Sequence, residues 1–116
     1  MNGELMLAEI REQPRVLERI LREGQPEIRA VARAIRARAP RFVVLAARGT
    51  SDHAALYAKY LVETELCLPA GLASPSTMTV YDARPELADV LLVAVSQSGA
   101  SPDLLQALAG RDQPAP

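Results

Sequence analysis

Two short apolar runs, Phe42 to Ala47 and Val90 to Val95, each end in a glycine-containing, hydroxyl-rich turn and are followed by helical spacing. Few folds accept that pattern twice. A continuous apolar run rich in β-branched residues belongs to a strand covered on both faces. A helix directly after a tight turn then carries the chain back across the sheet. After the first run, Arg48, Gly49, Thr50 and Ser51 lead into Asp52 to Glu65, where Ala54, Tyr57, Ala58 and Leu61 recur at helical spacing. After the second, Ser96 to Ser101 leads into Leu104, Leu105 and Leu108, closed by Gly110. Between them lie a weaker strand, Pro69 to Ala73, a turn at Ser74 to Ser76, and a short helix at Thr77 to Tyr81. Strands alternating with helices predict an α/β domain with a parallel sheet and right-handed crossovers.

The first forty residues read differently. Leu7, Ile10, Leu17 and Leu21 are separated by charged residues and fall close to one helical stripe, interrupted by Pro14. Proline has no amide to donate and disfavours helical geometry just before it, so we expect a short helix, a kink or restart, and a second segment ending at Gly24. Ile28, Val31, Ala32 and Ile35 then form a further stripe, with Arg29, Arg33 and Arg36 opposite as a solvated row, until Ala39 and Pro40 stop the helix. The expected organisation is a helical segment over 1–40, the α/β unit over 41–110 and a frayed tail over 111–116. Three strands make a thin sheet. The expectation is therefore a truncated domain, or a strand edge that a second copy covers.

Composition excludes several classes of function. With 116 residues, 49% of them hydrophobic, one small core can form. Thirteen basic against fourteen acidic residues give a net charge of −1, so no broad positive field exists for nucleic acid or an anionic bilayer. Phe42, Tyr57, Tyr60 and Tyr81 are the only aromatic residues, too few for stacking on bases. No apolar run is long enough to span a bilayer, and the amino terminus lacks a signal-peptide pattern. Cys67 is the single cysteine, which rules out an internal disulfide, fits a reducing cytoplasm and leaves no cluster of metal-ligand spacing. No metal or cofactor is expected.

The two turns carry the chemistry. Ligands of open parallel sheets bind outside the carboxyl ends of the strands, where neighbouring connections leave on opposite faces. If the strand order is second, first, third, both turns border that crevice. Ser96, Ser98 and Ser101 offer hydroxyls, Gln97 an amide, and Gly99 a backbone that can approach closely. The helix that follows adds its amino-terminal amides and positive dipole end. Such neutral donors suit a phosphate monoester, and Gly49, Thr50 and Ser51 face the same place from the next strand. Each residue also has a purely structural reading. Ser101, Pro102 and Asp103 read as N-cap, first-turn proline and dipole-complementing acid. Thr50 and Ser51 read as caps, Asp52 as a dipole partner, and His53 as a packed or exposed imidazole. Tyr57 and Tyr60 read as core or subunit contacts, and Cys67 as a small hydrophobe.

The run Arg48 to Ala54 followed by Tyr57 to Leu61 resembles the first motif of sugar isomerase (SIS) domains, and Val95 to Gly99 resembles their second signature. The isomerase half of the glutamine:fructose-6-phosphate amidotransferases carries both, and Met6 to Pro14 is similar to the segment preceding it. The resemblance implies a three-layer, flavodoxin-like parallel sheet, a truncated SIS domain preceded by amino-terminal helices. It implies a sugar-phosphate ligand, with Ser96, Gln97, Ser98 and Ser101 on the phosphate and Thr50 and Ser51 facing the sugar. It also implies a homodimer. The wording Arg48 to Ala54 leans toward the amino-sugar-phosphate deaminase-like members that lack a glutaminase domain. Three departures stand out. Ala100 replaces a common glutamate, no catalytic cysteine follows Met1, and the second half that supplies the family's base, ring-opening histidine and lysine is missing from the sequence. Catalytic residues therefore stay unassigned. A regulatory phosphosugar sensor is the alternative reading; a flavin-binding domain is disfavoured because neither turn holds an aromatic residue.

Overall fold

The computed structural model describes residues 2–109. The chain divides into two units, Met1–Arg38 and Ala39–Pro116. The tail expected to fray over 111–116, and Gly110 as the stop of the last helix, lie outside the described residues.

In the first unit, α1 runs unbroken over Asn2–Glu23 and α2 over Gln25–Arg38. The restart considered at Pro14 does not occur. An interior proline deprives a helix of one hydrogen bond and crowds the preceding turn, yet here the helix continues through it on an exposed surface. The interruption falls instead at Gly24, whose amide bonds to the Ile20 carbonyl at 2.9 Å and whose carbonyl accepts from Ile28 at 2.9 Å. A Cβ at this position would lie 2.7 Å from the Ile20 carbonyl oxygen, so the bend requires glycine. The arginine row of α2 is exposed as expected, but so are Ile28 and Val31, and α2 has no buried residue.

In the second unit the strands are β1, Phe42–Ala47, β2, Ala70–Leu72, and β3, Val90–Val95, with α3 over Ser51–Glu65, α4 over Pro75–Thr79 and α5 over Pro102–Ala109. The sheet is parallel in the order β2-β1-β3. The strongest apolar run thus becomes the central strand. Val43, Leu45 and Ala47 point to one face and meet Ala55 of α3, forming a core flanked by Ala58, Val62, Leu91 and Val93. Ala46, on the other face of β1, is buried too. This is the open three-stranded α/β sheet that the alternation of strands and helices predicts. The short helix starts earlier than its periodicity suggested, at Pro75, because proline's fixed φ suits a first helical position.

Of the two readings of Tyr57 and Tyr60, core or subunit contact, the first does not hold, since they are 68% and 61% exposed. Cys67 is not a packed hydrophobe: it is exposed and adopts φ 52° just past the end of α3, where Leu68 reaches back to the Val62 carbonyl. The left-handed conformation costs a residue with a Cβ about 1 kcal/mol or more. Cys67→Gly is therefore expected to raise stability by about 0.5–1 kcal/mol in urea unfolding, and a loss of stability would refute the strain.

Candidate functional site

The strand order brings the two hydroxyl-rich turns together. β1 and β3 pair in register along their whole length, ending with Ala47 opposite Val95. Gly49–Ser51 and Ser96–Ser101 therefore leave the same edge of the sheet from adjacent strands. The chain moves outward from β1 to β2 and then back past β1 to β3. In open sheets whose right-handed crossovers leave neighbouring strands over opposite faces, this carboxyl edge is where ligands bind.

Each turn is shaped by a glycine in the left-handed region, Gly49 at φ 61° and Gly99 at φ 66°. A Cβ at either would meet nothing within 4 Å, so the conformation and not the available space demands glycine. In the first turn, Asp52 and His53 donate their amides to the carbonyls of Gly49 and Thr50, each at 3.1 Å. Thr50 precedes α3 in a helical conformation (φ −66°, ψ −22°) and makes no side-chain cap. The capping reading of Thr50 is thus not realised, and its exposed hydroxyl lies at the start of the helix. Ser51 is half-buried as the first residue of α3, while Asp52 and His53 are exposed in its first turn.

The second turn folds on its own serines. Ser96 Oγ accepts the Gly99 amide at 3.0 Å, and Ser98 Oγ accepts the Ala100 amide at 3.2 Å. Two of the turn's backbone amides, those of Gly99 and Ala100, are thus spent on side-chain oxygens. The serine oxygens accept here, and each hydroxyl still carries a proton to donate. The donor capacity of the turn thus lies in the hydroxyls and in the exposed amide of Gln97. Ser101 is half-buried before α5, and its carbonyl accepts the Leu105 amide at 3.0 Å.

A third turn reaches the same edge that the reading of two strong strands passed over. Ala73 extends the ladder beyond β2 by donating to the Leu45 carbonyl at 2.7 Å, and Ser74, Ser76 and Thr77 follow. The Thr77 hydroxyl donates to the Ser74 carbonyl at 2.8 Å, so it is committed to the turn. The strong hydroxyl content of Ser74 to Thr77 was the available signal; the weakness of the β2 pattern hid its position. Among the described residues no group of three histidines, cysteines or carboxylates is placed to hold a metal ion. No helix among them is long and apolar enough to cross a membrane.

No family model matches the chain. Among curated proteins, a glutamine–fructose-6-phosphate aminotransferase (isomerizing) of Symbiobacterium thermophilum is 40% identical over 91% of this chain, which spans 18% of that relative. The enzyme of the same name from Halobacterium salinarum is 46% identical over 65 residues, 55% of this chain and 10% of its own length. Among solved structures, a presumed phosphosugar isomerase from Silicibacter pomeroyi superposes with a TM-score of 0.82 at 42% identity, covering 89% of this chain and 33% of that one. The chain thus spans less than a fifth of the curated relatives and a third of the solved structure. In sequence and in backbone alike, the chain resembles portions of these proteins, a likeness that supports an SIS-like domain.

Proposed function

We propose that the unit over residues 41–110 binds a phosphorylated hexose or hexosamine at the carboxyl edge of its sheet. The turn after β3 takes the phosphate, and Gly49, Thr50 and Ser51 face the sugar. The observation that carries this reading is the in-register pairing of β1 with β3, which sets the two hydroxyl-rich turns side by side. The exposed Ser96 and Ser98 accept backbone amides and keep hydroxyl protons to donate, and a phosphate monoester is a cluster of strong acceptors that such donors recognise. The relatives point the same way, being named for fructose 6-phosphate and phosphosugar chemistry. The reading stops at binding and assigns no catalytic residue. A lone exposed thiol, Cys67, suits the reducing cytoplasm in which phosphorylated sugars are handled.

The test is the paired substitution Ser96→Ala with Ser98→Ala, titrated calorimetrically with glucosamine 6-phosphate. Loss of one or two hydrogen bonds to a charged group weakens binding by about 1–3 kcal/mol. Unchanged affinity, with circular dichroism showing an intact fold, would mean that the serines serve only to shape their own turn.

A further inference from the structure

Two hydroxyl residues stand at helix N-caps on adjacent strand ends, and neither caps. Thr50 precedes α3 and Ser74 precedes α4, and neither side chain bonds to its helix. A serine or threonine in that place ordinarily binds a free amide of the first turn. At Ser74 the backbone does this instead: its carbonyl accepts the Thr77 amide at 2.9 Å and the Thr77 hydroxyl at 2.8 Å. Ser74 is thereby held through its carbonyl, and no hydrogen bond among the described residues uses its own hydroxyl. Its place in the sheet is fixed as well. Leu45 pairs with Leu72, and the Ala73 amide continues the ladder to the Leu45 carbonyl at 2.7 Å. One residue further in the same register, Ser74 stands level with Ala47, which lies opposite Val95. Ser74, Ala47 and Val95 thus form one row across the carboxyl edge, with Thr50 and Ser96 in the turns that follow. Neighbouring strands are about 4.8 Å apart, so Ser74 lies roughly 10 Å from the β3 end of the row and half as far from the β1 end.

We propose that the Ser74 hydroxyl is a specificity-determining contact for the sugar, binding one of its hydroxyls on the side of β1 away from the phosphate. This role rests on the phosphosugar reading above. With the phosphate on the turn after β3 and the sugar over the turn after β1, a six-carbon ligand continues toward β2. There it meets a group that both donates and accepts, which is the match for a sugar hydroxyl. Because the Ser74 backbone is already tied down by Thr77, the contact requires little further ordering when the ligand binds. The contact is the side-chain oxygen and not the amino end of α4, whose Thr77 amide is already spent. Thr50 and Ser74, the two hydroxyls that decline to cap, then read the sugar from neighbouring strands.

Calorimetric titration of Ser74→Ala and Ser74→Thr in the full 116-residue chain with glucosamine 6-phosphate is the test. Ethyl phosphate, a phosphate ester with no sugar hydroxyl, is the control and is measured by competition. Ser74→Ala is expected to weaken glucosamine 6-phosphate roughly fivefold, the effect of one neutral hydrogen bond, and to leave ethyl phosphate unchanged. Ser74→Thr keeps the hydroxyl and is expected to bind as the wild type does. The urea midpoint of Ser74→Ala is expected to stay at the wild-type value, because the hydroxyl caps nothing. A lowered midpoint would overturn the proposal by showing that the hydroxyl serves α4. Unchanged affinity for glucosamine 6-phosphate in Ser74→Ala would overturn it too, as would equal weakening of both ligands or a Ser74→Thr chain as weak as Ser74→Ala. A wild-type chain that binds neither ligand would instead overturn the phosphosugar reading itself, and this role with it.

Discussion

Glucosamine 6-phosphate and fructose 6-phosphate are expected to bind at the carboxyl edge of the sheet, and the same sugars without phosphate are expected not to bind measurably. A hydrogen bond from a neutral donor to a charged oxygen contributes about 1.5–3 kcal/mol, against about 1 kcal/mol for a neutral pair. Removing the phosphate removes every charge-assisted contact proposed for Ser96, Ser98 and Gln97, so the loss is expected to reach about 3 kcal/mol or more, beyond the about 1–3 kcal/mol assigned to the serine pair alone. Each 1.4 kcal/mol is tenfold in the dissociation constant, so the difference is expected to exceed roughly a hundredfold. The sugar hydroxyls are a weaker handle, because Thr50 and Ser51 exchange hydrogen bonds to water for hydrogen bonds to other hydroxyls at little net gain. Calorimetric titration of each sugar and its phosphate separates the two contributions. Equal affinity for both forms would sink the proposed role of the turn after β3.

Replacing Leu45 with alanine is expected to cost about 3 kcal/mol of folding stability, within the range of about 2–5 kcal/mol seen when a large buried side chain is truncated. Leu45 is 2% exposed, lies on the central strand and has the largest fully buried side chain. Its neighbours cannot close the cavity easily, because Val43 and Ala47 are fixed by β1 and Ala55 is itself buried against them. A domain of this size has about 5–15 kcal/mol in total, so a large share of its stability is at stake. Leu105→Ala provides the contrast. That leucine is 51% exposed, and its truncation should cost about 0.5 kcal/mol or less. Urea unfolding of both variants checks the pair of values. A loss under about 1 kcal/mol for Leu45→Ala would show that the core centres elsewhere.

The strands and helices were legible because their signals are local. Val90 to Val95 is an unbroken apolar run, and its strand spans the same residues. Phe42 to Ala47 reads likewise and becomes the central strand. The helix after Gly49 follows from its spacing, and the two glycines with positive φ stand where tight turns were expected. Local rules failed where a residue's effect depends on its surroundings. Pro14 interrupts the pattern yet not the helix, since a lost hydrogen bond on an exposed surface is a cost a long helix can absorb, whereas the bend went to Gly24. Tyr57 and Tyr60 have apolar rings that fit a core, but the face of α3 that meets the sheet carries Ala55, Ala58 and Val62 instead.

The residue types of the site came from the sequence by itself: hydroxyls and a glycine in each turn and a glutamine in the second, following two apolar strands. Their meeting at one edge did not. That required β1 to lie between β2 and β3 and to pair with β3 in register, and strand order depends on which apolar faces cover one another across long separations in the chain. Tertiary structure likewise decided what the serines do. Nothing in the order Ser96, Gln97, Ser98, Gly99, Ala100 states that the oxygens of Ser96 and Ser98 accept the amides of Gly99 and Ala100, because that depends on the left-handed turn at Gly99 bringing donor and acceptor within 3.0–3.2 Å. Sequence determines which groups are present and which backbone conformations they permit. Only the folded chain decides which of those groups it spends on itself, as it does the oxygens of Ser96 and Ser98.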